Sequence, residues 1–290
     1  MGPSFAGGIN GYRTVGNYRN QWLGVKDAYE TYSVSWDHNL MSFHSGIGLF
    51  VIRDQAGTGN LANTKGALLY SYDFTPFPEW HLRPGLGFYL QQTSIDFSML
   101  TFGDQLYSDQ PTSITQPGKN SVYDIDVSTS LMMYSDNVWF GSTWDHMLKP
   151  VVSFYGDEAQ IPYKFSVYGG VRKVIRGFLI SKIEESVTGS FMFRKQANFA
   201  QVDLGVYWFR EPISFGIWYR GIPVAKKYRK IDAIAFMAGY KLEQISIAYS
   251  YDCTISRLGL RSGGSHELAF IYEFKIKAKK RWKPIPCPTF

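Results

Sequence analysis

The chain has 290 residues and a net charge of +6 at neutral pH, with only 19% charged residues but 17% aromatic ones, as 20 Tyr, 21 Phe and 8 Trp. Soluble domains carry roughly 25% charged residues, so this composition argues against an ordinary soluble enzyme. No apolar run approaches the ~20 residues of a membrane-spanning helix, which excludes a helical membrane protein but not a β-barrel, whose lipid-facing residues alternate with lumen-facing ones.

The opening MGPSFAGG has neither a charged n-region nor an apolar h-region, so no secretory signal is visible, and the chain is expected to begin at or after a mature start. Alternation then predicts about fourteen strands, near 9–20, 27–38, 44–53, 62–74, 80–92, 122–134, 136–145, 162–174, 185–197, 199–209, 212–221, 231–241, 244–253 and 265–276. Tyr32, Val34 and Trp36 oppose Ser33, Ser35 and Asp37; Leu82, Leu86, Phe88 and Leu90 oppose Arg83, Gly85, Gly87 and Gln91. Tyr123, Ile125, Val127, Thr129 and Leu131 oppose Asp124, Asp126, Ser128 and Ser130. At the end of the chain, Ile245, Ile247, Tyr249 and Tyr251 oppose Ser246, Ala248, Ser250 and Asp252, and Leu268, Phe270, Tyr272, Phe274 and Ile276 share one face. Each strand is about as long as the 9–11 residues a tilted strand needs to cross a bilayer.

The connections give a second signal. Those at Met41, Tyr134–Ser135, Arg210–Glu211 and Leu242–Glu243 are tight, whereas 92–121, 145–161, 222–230 and 254–265 are long. Outer-membrane barrels pair short periplasmic turns with long outer loops. The fold class is therefore all-β, a transmembrane antiparallel β-barrel of about 14 strands with both termini periplasmic. It spans residues 1–276 and is followed by a basic periplasmic tail, 277–290. A soluble β-sandwich would use fewer strands and show less of this alternation. Two connections break the rule: 174–184 is long for a periplasmic turn, and the one near Asn198 is short for an outer loop. The segment 93–121, with Pro111, Pro117 and Gly118, is the candidate for a mobile or inward-folding loop.

Chemistry-bearing residues are scattered. His38, His44, His81, His146 and His266 show no metal-ligand spacing, and on a strand His266 and Glu267 point to opposite faces. No G-x-S-x-G elbow is present, and nothing marks a serine partner for Asp145-His146. Gly46-Ile47-Gly48 and Gly85-Leu86-Gly87 lack the following helix of a phosphate loop, and glycine in a strand reads instead as a bend or a close backbone approach. Among Arg13, Arg19, Arg53, Arg172, Arg220 and Arg257, some are expected to face a polar lumen and to meet Asp37, Asp73, Asp124, Asp126, Asp203 or Asp252. Whether the lumen is a water-filled pore or a packed plug stays open. Cys253 and Cys287 form no zinc motif, and a disulfide between them is neither required nor excluded. The basic run Lys277, Lys279, Lys280, Arg281 and Lys283 reads first as a solvated tail able to touch an acidic partner or surface, ahead of a nucleic-acid site.

The closing hairpin, SYDCTIS, SGGSHELAFIYEFK and PCPTF, closely resembles the C-terminus of the PorP/SprF family, outer-membrane components of the type IX secretion and gliding machinery of Bacteroidota. It contains Tyr251, Asp252, Ser256, Gly264, His266, Glu267, Cys287 and Pro288. PSFAG and YRNQW (Tyr18, Arg19, Gln21, Trp22) look like the family's opening motif, followed by SWDHNL, SGIGLFV, GALLYSYDF and LRPGLGFYLQQ. DVSTSLMMYSDNVWFGSTWDHMLKP, with Asn137, Gly141 and His146, is similar to its central hairpin, and GIWYRG carries Tyr219 and Arg220.

The resemblance implies a non-enzymatic role without cofactor or metal. It implies export or surface retention of large secreted proteins with a type IX C-terminal domain, adhesins among them. Implied partners are the periplasmic or peptidoglycan-associated parts of the machine and outer-membrane lipid, with no nucleic acid. The basic tail is the expected docking element. The alternative is an outer-membrane porin or transporter for small solutes, since fold does not settle function.

Overall fold

The computed structural model describes residues 2–108, 113–157, 159–176, 184–223, 233–255, 263–276 and 284–287. The strands are β1 (Gly11–Gln21), β2 (Tyr29–Leu40), β3 (Ser45–Ala56), β4 (Leu61–Tyr72), β5 (Phe74–Phe77), β6 (Trp80–Ser94), β7 (Ser121–Tyr134), β8 (Val138–Asp145), β9 (Lys164–Arg176), β10 (Glu185–Gln196), β11 (Phe199–Arg210), β12 (Ile213–Pro223), β13 (Ala233–Leu242), β14 (Ile245–Thr254) and β15 (Ser265–Lys275). Each pairs antiparallel with its sequence neighbours, except that β4 pairs with β6 and leaves four-residue β5 as a flap on β6. The first strand closes on the last, in continuous register from Gly11↔Lys275 to Gln21↔Ser265. The result is a closed antiparallel ring of fourteen strands. The fourteen predicted segments all became strands, with ends shifted by a few residues; β5 was not foreseen, because Phe74–Phe77 has no alternation to display.

The sheet is inside out relative to a soluble protein. Leu68, Phe88, Leu90, Ile125, Phe140, Leu204, Val206, Phe236, Leu268 and Phe270 are exposed on the outer wall, whereas Asp37, Asn39, Ser71, Arg83, Asp126, Ser128, Ser130, Asp203, Ser250 and Asp252 are buried within. Leu90 is 70% exposed while Arg83, on the same strand, is 1% exposed. Water would penalise such a surface; a hydrocarbon core requires it, and the closed ring leaves no unpaired edge to lie in lipid. Outward aromatics pair near both ends of the strands. Tyr12 stacks on Phe274 with ring centroids 4.9 Å apart, and Trp208 stacks on Phe215, at the end where the termini lie. Tyr18 meets Tyr32 at 5.0 Å and Trp144 meets Phe165 at 5.2 Å at the far end. These are the two interfacial belts that the aromatic content suggested.

At the termini end the connections are 41–44, 73–79, 135–137, 211–212 and 243–244, while residues 177–183 of the connection flagged as too long lie outside the described residues. At the far end, 95–120 and 146–163 are long, whereas 57–60 and Ala197–Asn198 are tight. The 95–120 segment packs on its neighbours. Asp96 donates its N–H to Gly59 O at 2.8 Å, Phe97 meets Phe102 and Phe154, and Tyr155 reaches Thr115 O at 3.4 Å. One bulge is stabilised by its own side chain. Register slips between Val202 and Leu204 of β11, and Asp203 Oδ1 accepts the N–H of Gly221 at 2.9 Å in place of a ladder bond.

Replacing Phe270, at the middle of the outer face of β15, by arginine is expected to cost about 2–4 kcal/mol. The folded, heat-modifiable band on a gel and the unfolding midpoint in detergent or lipid measure it.

Candidate functional site: the plugged lumen and its charged walls

The residues before β1 do not trail into solvent. Pro3–Phe5 forms a 3-10 turn, started by Pro3, that lies across the inside of the barrel, and Pro3, Ser4 and Ala6 are buried. Ser4 donates its N–H to Ser130 Oγ on β7 at 2.7 Å, and its hydroxyl lies 3.3 Å from Tyr168 OH on β9. On the other wall, Gly7 N–H donates to Asp37 Oδ2 on β2 at 3.0 Å, and Gly7 O accepts from Asn39 Nδ2 at 3.0 Å. The segment therefore bridges opposite sides of the ring. The end of the chain joins it: Ile285 N–H donates to Gly8 O at 3.1 Å. Ile285, Cys287, Phe5 and Met192 pack against the lumen cluster Met132, Tyr134, Trp139 and Tyr168.

Arg83 holds the plug. Its guanidinium donates to Ala6 O, to Gly7 O at 3.3 Å and to Ser71 Oγ at 2.7 Å, and Ser71 Oγ donates to Ala6 O at 2.9 Å. Asp73 lies 3.8 Å from Arg83 Nε and is also contacted by His81 Nδ1 at 2.7 Å and Tyr134 OH at 2.8 Å. A buried cation is thus matched by a buried carboxylate and by the carbonyls of an irregular segment that has no ladder of its own.

The glycine alternation now has a cause. A Cβ on Gly46 would lie 2.0 Å from Ala6 O, and one on Gly85 2.2 Å from Ser4 N; Gly87 faces Pro3 and Gly48 faces Ala6. Both G-x-G stretches are the bed on which the N-terminal backbone rests, the close approach expected of strand glycine.

Four residues singled out from sequence meet on the wall beside the β1–β15 seam. Arg19 donates to Glu267 at 2.9 Å and to Asp252 at 2.8 Å, and Arg220 donates to the same Asp252 oxygen at 2.7 Å. Asn17 adds a bond to Glu267 at 2.6 Å. The cluster ties β1, β12, β14 and β15 together along this wall. Among the other expected lumen pairs, Arg13 meets Asp37 at 2.9 Å and Arg172 meets Glu184; Asp203 pairs with Arg194. Arg53 instead faces outward, bonded to Thr64, and Arg257 lies outside the described residues.

The remaining motif residues disperse. Tyr18 and Tyr219 face outward. Gln21 ends β1 opposite Ser265, and Trp22 donates its N–H to Gly264 O at 2.7 Å. His266 lies on the outer wall with Tyr249 OH 2.6 Å from Nδ1 and the Tyr251 ring at 5.0 Å, opposite in direction to Glu267 as the strand period requires. Asn137 O accepts from Arg172 N–H at 2.7 Å in a turn at the termini end, and Gly141 lies under the Tyr168 ring. His146 Nδ1 is 2.8 Å from Asp126 Oδ2. No disulfide joins Cys253 to Cys287. Ser256, Pro288 and the basic residues Lys277, Lys279, Lys280, Arg281 and Lys283 lie outside the described residues. Among the described residues, no group of three or more His, Cys, Asp and Glu is placed to hold a metal.

At the far end, a six-residue helix α1 (Gly103–Ser108) is clamped to the strand-bound part of its loop. Asp104 accepts from the Ser113 hydroxyl at 2.8 Å, from Ile114 N–H at 2.7 Å and from the Thr115 hydroxyl at 3.1 Å. These bonds, Ser113's first, hold its carboxyl down to about 2 from an ordinary 3.8. The clamp presents Tyr107 and Ile114 at 98% and 95% exposure.

An apolar outer wall, two aromatic belts and a polar lumen crossed by the chain's own N-terminal segment define an integral membrane β-barrel with a built-in plug. The family described as type IX secretion system membrane protein PorP/SprF matches residues 1–272, and the chain belongs to that family. No curated protein matches. Among solved structures the chain is similar to the KdgM porin, at 8% identity over 90% of this chain and 99% of that one, with a TM-score of 0.42. It is also similar to BamA from Haemophilus ducreyi lacking POTRA domains 1–3, at 6% identity over 90% and 69% with a TM-score of 0.42. For a variant of the Rh. blastica porin the values are 10%, 91%, 99% and 0.38. Likenesses of this size carry no weight on function.

Arg83→Ala leaves Asp73 and two plug carbonyls without their cation and is expected to cost about 3–5 kcal/mol. Gly46→Ala and Gly85→Ala are expected to cost about 1–3 kcal/mol through overpacking, whereas Gly66→Ala, with nothing within 4 Å of the added carbon, leaves the plug unchanged. Unfolding midpoints and protease trimming of the N-terminal segment report both. The Asp104 clamp contributes fully above the ordinary carboxyl pKa of 3.8 and is lost as pH falls towards 2, its value in the folded chain. Limited proteolysis of the 95–120 loop between pH 6 and 2 should show cleavage rising only at the acid end, and at every pH in Asp104→Ala.

Proposed function

We propose that this chain is a non-enzymatic outer-membrane adaptor of the type IX secretion machinery. It binds large secreted surface proteins, adhesins among them, at its far end, and links them to the periplasmic machine at its termini end. The observation that carries this reading is the plug. A porin needs a continuous aqueous path, whereas here Pro3–Gly8 lies inside the ring, bonded to both walls, with Ile285 bonded to it and Cys287 packed on the lumen cluster. A chain that fills its own lumen is suited to holding proteins at its two faces.

Membership in the family supports contact with the secretion machinery and with cargo. We assign the far end to the cell exterior and both termini to the periplasm, on the rule that long loops of outer-membrane barrels lie outside. The exposed Tyr107 and Ile114 on the clamped 95–120 loop suit capture of a cargo C-terminal domain. We assign the docking of an acidic periplasmic partner to the basic stretch Lys277, Lys279, Lys280, Arg281 and Lys283, on the strength of its charge.

A tagged chain recovered from outer membranes in mild detergent is expected to carry a large secreted protein with a type IX C-terminal domain, together with periplasmic machine components, by mass spectrometry. Replacing the five basic residues by glutamine, with Pro284–Cys287 kept in place, should lose the periplasmic components and keep the cargo. Purified protein in planar bilayers should show no steady conductance. Recovery of the barrel alone, with steady single-channel conductance, would favour the porin and defeat the adaptor.

A further inference from the structure

Beside the plug, and bordered by Gly2 at its start, one wall of the lumen holds a cavity of about 340 Å³ lined by Lys65, Gln91, Asp126, Asp145, His146, Lys164 and Arg194, among others. Lys65 and Gln91 are directly opposed on β4 and β6, so their side chains are neighbours on the lumen face. Gln91 is 4% exposed, and its Nε2 has no hydrogen-bond partner. Lys65 has no hydrogen bond or ion pair among the described residues. Arg194 Nε is likewise unsatisfied, although the same guanidinium reaches Asp203.

The acceptors around this wall are already engaged. Asp145 holds Lys164 at 3.0 Å. Asp126 accepts from His146 Nδ1 at 2.8 Å, from Val127 N–H at 2.8 Å and from Leu148 N–H at 3.4 Å. Asp203 accepts from Arg194, Gln201 and Gly221. Within the cavity Lys65, Lys164 and Arg194 face Asp126 and Asp145, and Asp54 and Asp203 lie close by, so the cavity selects by contact and not by a net positive field. Donors are left over at its surface: an ammonium, a buried amide and a guanidinium nitrogen. A buried amide donor with no acceptor is unfavourable until something supplies one.

We propose that this cavity is a binding site for a carboxylate, seated between Lys65 and Gln91. A carboxylate brings two acceptor oxygens in one plane, one for the ammonium and one for the amide, and its charge makes the first of these bonds the stronger. The site borders the plug without using its bonds and goes beyond the adaptor reading, since a small solute or an acidic side chain entering the lumen would equally satisfy it.

The test uses the full chain in detergent at constant ionic strength, followed by saturation-transfer NMR. Acetate is the probe for a free carboxylate, acetamide is its neutral counterpart of the same shape, and N-acetyl-Gly-Glu-Gly-amide is the probe for an acidic side chain. Acetate should bind saturably and acetamide at least about tenfold more weakly. Lys65→Gln should weaken acetate about tenfold, while Lys119→Gln, on the far-end loop, keeps wild-type binding. Gln91→Leu leaves the charge in place and should weaken acetate several-fold, which keeps the test decisive if Lys65→Gln does not fold. Binding of the peptide as well as acetate marks a site open to polypeptide; binding of acetate alone marks a small-solute site. Absence of saturable acetate binding, equal binding of acetamide, or unchanged affinity in both variants would overturn the proposal.

Discussion

A bilayer offers backbone N–H and C=O groups nothing to bond to, and every other feature of this molecule depends on that constraint. It forces the sheet to close, so the first strand must find the last across the whole length of the chain. The β1–β15 seam does this in unbroken register. The same constraint turns the protein inside out, with leucine and phenylalanine on the outer wall and arginine, aspartate and serine within. A polar interior then has to be satisfied by its own contents. The Arg19–Asp252–Arg220–Glu267 cluster does so beside the seam, joining strands that do not all share backbone bonds.

The plug solves the same problem for an irregular segment. Pro3–Gly8 has no ladder, so its carbonyls and amides are met by side chains from both walls: Asp37, Asn39, Ser71, Arg83 and Ser130. Arg83 is the buried charge on which this rests, and Asp73 is what makes it tolerable there. Functionally the consequence is large. Pro3–Gly8, with Ile285 and Cys287 beside it, occupies space a porin would leave to water, and the two rims and the residual lumen cavities are left accessible.

Individual residues show how far sequence reasoning reached. Strand period alone put Glu267 and His266 on opposite faces, and the structure turns Glu267 inward to the ion cluster and His266 out to Tyr249. The loop-length rule found the long 95–120 and 146–163 connections but had no means of seeing that 57–60 would be tight at the same end. Family resemblance marked Arg19, Arg220, Asp252 and Glu267 without saying that they touch. Arg83 was seen only as the polar partner of Leu82; its role needs the N-terminal segment at its side, 76 residues away in sequence. The glycines at 46 and 85 were read as a bend or a close backbone approach, with no way to tell which, or what approached.

What the sequence by itself determined was the alternation, and with it the strands, their inner and outer faces and the kind of solvent each face requires. Those are local properties, set by a period of two and by side-chain polarity. What only the tertiary structure decided was the content of the lumen: that the N-terminal segment folds into it and is held by Arg83, that Ile285 and Cys287 pack beside that segment, and that Lys65 and Gln91 are left facing a cavity. These depend on contacts between residues far apart in the chain. No local pattern encodes such contacts, because they exist only once the ring has closed and brought its opposite walls within reach of one short segment.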